Sequence, residues 1–313
     1  KSVRVEAGKG PIPYEVVTNP QKFLEIFKDL DQRPFAFDYE TVSLSDHRIV
    51  GLAISNESNN WYFCKEALRA LPAWYDFLSR NGDAIAFNAK FEYHVTPLEP
   101  TSLALHDPMI MHWLLTSHVG GNDLKTLSRT LLKRDVLAYN EIVPKGGSLE
   151  DLDIDLQARY AAAGDSRNTY DLFFLLKPKL ARARLWHVYD DIERPLIPVL
   201  VEMERAGLNI DRRALADMIV LYQTRQAALA DALRALGFSG NLGSDDQVAK
   251  WFYEVLGLPI LKMTDSGKRG SINKETLLKI HGSHPAIPTY RAWAEADTLL
   301  STFLLPNEGK DWI

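Results

Sequence analysis

The chain has 313 residues, of which 46% are hydrophobic, 25% charged and 10% aromatic. That is the composition of an ordinary globular protein of about two domains, and it excludes collagen, a coiled coil and wholesale disorder. No apolar run approaches the ~18–20 residues of a membrane span, residues 1–16 hold no signal-like apolar core, and Cys64, the one cysteine, cannot form an internal disulfide, so a reducing compartment is expected. The net charge of −5 argues against a nonspecific nucleic-acid coat, which is usually basic. It leaves open an enzyme that meets nucleic acid through metal ions. Residues 194–313 hold 14 Lys+Arg and 14 Asp+Glu, which leaves 22 and 27 in residues 1–193, so the first part carries the whole −5. The chain begins at Lys1, as a fragment of a longer protein would.

In chain order, residues 14–17 form a short β-branched strand. Asn19 and Pro20 then open a helix to about residue 30, as an N-cap followed by proline at the first helical position. Residues 35–38, 49–55 and 61–64 read as three consecutive antiparallel strands. A helix over 72–80 leads to a buried strand at 84–87, which runs into Asn88 and the next helix. Helical spacing recurs at 108–115, behind the N-cap Asp107, and at 124–132. A long helix from 156 to about 176 should stop at Pro178. Early strands followed by alternation predict an α/β sheet of mixed direction. From about residue 190 the pattern is nearly all helical. Helices at 194–205 and 212–236 are separated by Gly207 and capped by Asp211, and others follow at 241–255, 273–280 and 288–305. Between them lies a polar, basic stretch, Lys262 to Ser271, that reads as a solvated loop from composition alone. We place the boundary near 190, giving domains 1–190 and 191–313.

The acids carry the chemistry. Asp38 and Glu40, two apart on a strand, point to one face and repel unless a cation neutralises them; Mg²⁺ or Mn²⁺ prefers such oxygen ligands. Glu92 follows a buried strand, and Asp165 sits on an apolar helix where an unpaired carboxylate is costly. Alone, D-x-E is weak and Glu92 reads as a first-turn acid stabilised by the helix dipole. In order and spacing, FAFDYETVSL (35–44), AFNAKFEYH (86–94), HDPMIMHWLL (106–115), NDLKTLSRTLL (122–132) and YAAAGDSRNTYDL (160–172) together resemble the DEDD 3′–5′ exonucleases, and most closely the proofreading domain of the family A DNA polymerases.

That resemblance implies a ribonuclease H-like mixed sheet. It implies two divalent cations, Mg²⁺ or Mn²⁺, with Asp38, Glu40 and Asp165 holding the first and Glu92 serving the second, and hydrolysis of the 3′-terminal phosphodiester of DNA. It also implies that Thr41, Leu44, Asn88 and Lys90 meet the DNA end. RPLIPVLVEMERAGLNID, the KMTDSGKRGS stretch, HPAIPTYRAW and LLSTFL resemble the start of the polymerase region and its thumb. There Lys262, Lys268, Arg269 and Ser271 would grip primer-template duplex. The resemblance further implies a monomeric, cytoplasmic, membrane-free setting in a bacterial or phage-infected cell. Palm and fingers are expected elsewhere in the parent protein or on another chain.

The sequence departs from the pattern twice. The second motif usually ends in Asp, and here it is Glu92. The third usually has Tyr four residues before Asp, whereas here Ala161 holds that place and Tyr160 stands five before. On a regular helix the extra residue turns Tyr160 about 100° away, unless a local bulge brings it back. The alternative is a degenerate, non-catalytic exonuclease fold that serves as a DNA-binding scaffold. An RNA-trimming relative of the ribonuclease D kind is a third reading, against which the thumb-like half argues.

Overall fold

The computed structural model describes residues 11–30, 33–43, 46–80, 84–117 and 120–312, with no side-chain description for Lys28 and Asp29. Five strands, β1 (Glu15–Val17), β2 (Phe35–Thr41), β3 (Ile49–Ser55), β4 (Asn60–Phe63) and β5 (Ala84–Ile85), form one sheet in the order β1-β4-β3-β2-β5. The meander β2-β3-β4 is antiparallel, as its spacing predicted, while β1 joins β4 and β5 joins β2 in parallel. This is the α/β mixed sheet the sequence implied.

The alternation of β2 explains its two faces. Phe35, Phe37 and Tyr39 point into an aromatic core with Phe23, Trp61, Phe63 and Trp74. That core is closed by helices α1 (Pro20–Leu30), α2 (Leu71–Leu78) and α3 (Ala89–Val95). Ala36, Asp38 and Glu40 therefore share the opposite face. The strand runs three residues beyond the expected end, to Thr41, with a bulge between Glu40 and Thr41, so both acids are mounted on regular sheet. Gly51 pairs with Glu40 across the ladder. A Cβ there would lie 2.2 Å from the Tyr62 hydroxyl, so only glycine lets that ring cross the sheet to hydrogen-bond Gln157 at 2.7 Å.

Helices α4 (Pro108–Thr116), α5 (Leu124–Leu131) and the single-turn α6 (Tyr139–Ile142) follow. The long helix is not continuous. It consists of α7 (Ile154–Tyr160), a π-helical turn Ala161–Ser166 and α8 (Arg167–Arg182). Pro178 lies inside α8 and does not end it, contrary to the expectation from sequence. After α9 (Trp186–Val188) comes α10 (Arg194–Ala206), whose Ile197 and Val201 are buried in the aromatic core. The chain accordingly divides into two compact units at Ala206/Gly207. A boundary near 190 would cut α10 away from the core it completes.

The second unit is mainly helical among the described residues, with a hairpin and one further antiparallel bridge, Asn209 to Trp312. Its elements are α11 (Arg212–Ala235), capped by Asp211 as expected, α12 (Asp245–Lys250), α13 (Lys274–Lys279) and α14 (Ala286–Thr298). They share a core of Leu233, Phe252, Ile287 and Trp293, among others. The polar stretch is a tight hairpin, not an open loop. Thr264 N–H donates to Arg269 O at 2.9 Å and Ser271 N–H to Lys262 O at 2.7 Å, around Gly267 at φ +67°.

Candidate metal centre

Asp38 and Glu40 project from β2, and Asp165 arrives from the π-helical turn packed across the same face. One carboxylate oxygen from each lies within 4.8 Å of the others. Glu40 and Asp165 are buried, and Asp38 is half-buried. Ser55 on β3 holds the turn to the sheet through a 2.6 Å hydrogen bond to Ser166.

Crowding acids out of water raises the cost of their charge. Burial first, then the neighbouring Asp165 charge, pushes Asp38 up to about 7. Burial and the charges of Asp38 and Asp165 hold Glu40 well above the usual carboxylate range, and burial also raises Asp165. Glu40 Oε1 is buried without a hydrogen-bond partner. A converging all-oxygen donor set with one orphaned buried oxygen is what a hard divalent cation requires, so these residues fit such an ion.

The π turn answers the displaced tyrosine. Its bonds close five residues apart instead of four, as in Arg167 N–H to Ala162 O, so residues five apart come round to one face. Tyr160, 8% exposed, thereby returns to the site, where burial and the neighbouring Asp165 charge raise its phenol pKa.

Glu92 does not join the three converging acids. It is buried on α3, where one oxygen accepts the Tyr39 N–H at 3.3 Å, and burial and the Asp38 charge raise its pKa. Asp107 fixes that helix more firmly than an N-cap alone. Besides Met109 N–H at 2.9 Å, it accepts Asn88 N–H at 3.1 Å and Ala89 N–H at 2.9 Å, tying the start of α3 to that of α4. This holds Asn88 in the left-handed region at φ +56°. Lys90 is paired with Glu204 of α10, and Thr41 donates to Ser43 O at 3.0 Å. Leu44 lies outside the described residues.

In the second unit, Lys262, Arg269 and Ser271 line one cleft of about 740 Å³, which does not include the exposed Lys268. Arg269 is committed to Asp245 and Asp246, and Ser271 is buried.

Sequence reasoning missed Lys125. It stands in the first turn of α5, where a cation opposes the helix dipole, and its ammonium pairs with Asp165 and lies 4.1 Å from the centre of the Tyr160 ring. That unfavourable helix position was the available signal.

No protein-family model matches the chain. Curated relatives include the DNA polymerase I of Treponema pallidum, 28% identical over 230 residues, or 70% of this chain and 22% of that protein. The DNA polymerase I of Pseudomonas aeruginosa is 28% identical over 290 residues, 82% of this chain and 31% of that protein. The chain thus spans between about a fifth and a third of these two relatives' lengths. Among solved structures, the POL domain of Pol1 from M. smegmatis, in complex with DNA primer-template and dNTP, matches with a TM-score of 0.57 at 19% identity, covering 92% of this chain and 49% of that one. In sequence over most of its length the chain is similar to bacterial DNA polymerase I, and in fold to a Pol1 polymerase domain.

Proposed function

We propose that the first unit is a metal-dependent 3′–5′ exonuclease, the proofreading portion of a DNA polymerase, and that the second unit is a thumb-like region that holds primer-template duplex. The observation that carries this reading is the convergence of Asp38, Glu40 and Asp165 on one point, with Tyr160 returned to it by the π turn. The polymerase relatives and the DNA-bound structural neighbour support a DNA substrate.

Asp38, Glu40 and Asp165 hold one divalent cation in this reading, and Glu92 serves a second from the neighbouring helix. Divalent cations supply charge that favours a hydroxide nucleophile and stabilises the leaving oxygen of a phosphodiester. The chain's own residues do the rest. Sheet and packed helix fix the carboxylates in advance, so little conformational entropy is lost when the site fills. The Tyr160 hydroxyl, beside Asp165, would orient the attacking water. Tyr160 also lines a cavity of about 960 Å³ with Lys133 and Arg159, side chains suited to a phosphate chain, while Arg134 beside them is held by Asp171. Lys262 and Lys268 at the hairpin are the exposed cations for duplex contact, while Arg269 braces the hairpin.

The direct test is a 5′-labelled single-stranded oligonucleotide with Mg²⁺ or Mn²⁺. The chain should remove 3′ nucleotides one at a time, and Asp38→Ala should reduce the rate by at least ~100-fold, the scale on which catalytic groups contribute. Undiminished cleavage by Asp38→Ala would overturn the assignment. A second reading, a non-catalytic scaffold, draws on Glu92 standing outside the cluster. Primer-template binding without cleavage under either metal would favour it.

A further inference from the structure

Lys125 has no role in the reading above, yet among the described residues it is the one cation paired with any of the three converging acids. Its ammonium is bound to Asp165 Oδ1 and lies over the Tyr160 ring, and its side chain is only 19% exposed. Three features say that this placement is held against cost. A lysine in the first turn of α5 opposes the dipole of that helix. Burying a long, flexible charged side chain sacrifices rotamer entropy and hydration. The Asp165 oxygen that Lys125 occupies belongs to the carboxylate that converges with Asp38 and Glu40. An ammonium and a divalent cation compete for the same charge, and within a few ångströms they repel strongly in a site of low dielectric.

We propose that Lys125 is the built-in counter-ion of the acidic site, which stabilises the metal-free fold and opposes divalent-cation binding by competing for Asp165. This rests on the reading of Asp38, Glu40 and Asp165 as cation ligands. The lysine neutralises part of the cluster while the site is empty, so the chain folds without a metal. When a cation arrives, the ammonium must leave Asp165, and the long side chain lets it swing away without moving α5. The affinity for metal is thus set below what the three carboxylates alone would give.

The test is Mn²⁺ binding to the full chain, without nucleic acid, followed by the loss of free Mn²⁺ signal in electron paramagnetic resonance. Lys125→Met keeps the stem and removes the charge. It should bind Mn²⁺ at least ~10-fold more tightly than wild type, a difference of about 1.4 kcal/mol. Its metal-free melting temperature should fall, and saturating Mn²⁺ should raise it by more than it raises wild type. Lys125→Arg keeps the charge and should bind Mn²⁺ within about threefold of wild type, which separates charge from packing. Should Lys125→Met prove too unstable without metal, Lys125→Gln, which keeps a polar group at the acids, should show the same tightening. Wild type and both neutral variants binding Mn²⁺ equally would sink the role of Lys125 and leave the metal site standing. If no form binds Mn²⁺, the metal site itself fails and takes this inference with it.

Discussion

Tyr160 shows how much one side chain depends on its surroundings. Counting along a regular helix turns it away from Asp165, yet the observed turn brings it back beside that carboxylate. Tyr160→Phe removes a hydroxyl that stands beside a charged group. Where the hydroxyl also orients the attacking water, cleavage of a labelled oligonucleotide should slow roughly 10–100-fold. Mn²⁺ binding should change little, because the three acids remain. An unchanged rate would make the tyrosine a packing residue. Lys125 illustrates the reverse. Its first-turn position, which opposes the helix dipole, is a weak local signal, and only the approach of α5 to the π turn gives it a partner.

At the scale of elements, the π turn between α7 and α8 is the feature on which the site depends. It accommodates an extra residue in a buried helix and forgoes regular i→i−4 bonding locally. Deleting Ala163 should restore an ordinary α turn, place the tyrosine four residues before the aspartate, and keep both facing the sheet. We expect the shortened chain to gain on the order of 1 kcal/mol from the recovered hydrogen bond, or about 2–4 °C in melting temperature, with exonuclease activity retained. A fall in both would show that the π turn is required as it stands. The strand β2 was more legible. Its alternation of aromatic and acidic residues predicted that Asp38 and Glu40 share a face, and the ladder bears this out. Its true end at Thr41 was not legible, because strand termini are set by partners, here the bulge against β3.

At the scale of the molecule, the place where the first unit ends has a measurable consequence. Charge and helical pattern suggested a boundary near 190, but α10 contributes Ile197 and Val201 to the aromatic core, and its Arg205 donates to Tyr93 O at 2.6 Å. Burying each of those two side chains is worth ~1.5–3 kcal/mol. A chain cut after Ala206 should therefore unfold in one cooperative transition, whereas one cut after Asp190 should melt well below it, as followed by circular dichroism. Equal melting temperatures would mean that α10 is dispensable to the first unit.

The sequence by itself determined the local matters: which segments alternate and which repeat with helical spacing, the N-caps Asp107 and Asp211, the shared face of Asp38 and Glu40, and the resemblance carried by motif order. These are legible because period, capping and turn chemistry act over a few residues. Tertiary structure alone decided the convergence of Asp165 on the strand acids, the return of Tyr160, the separation of Glu92, the pairing of Lys125 and the unit that owns α10. Each of these depends on residues far apart in the chain, or turns on a single extra residue in a buried helix. Such choices are fixed by how whole elements pack and by the energy of charges that have nowhere else to go.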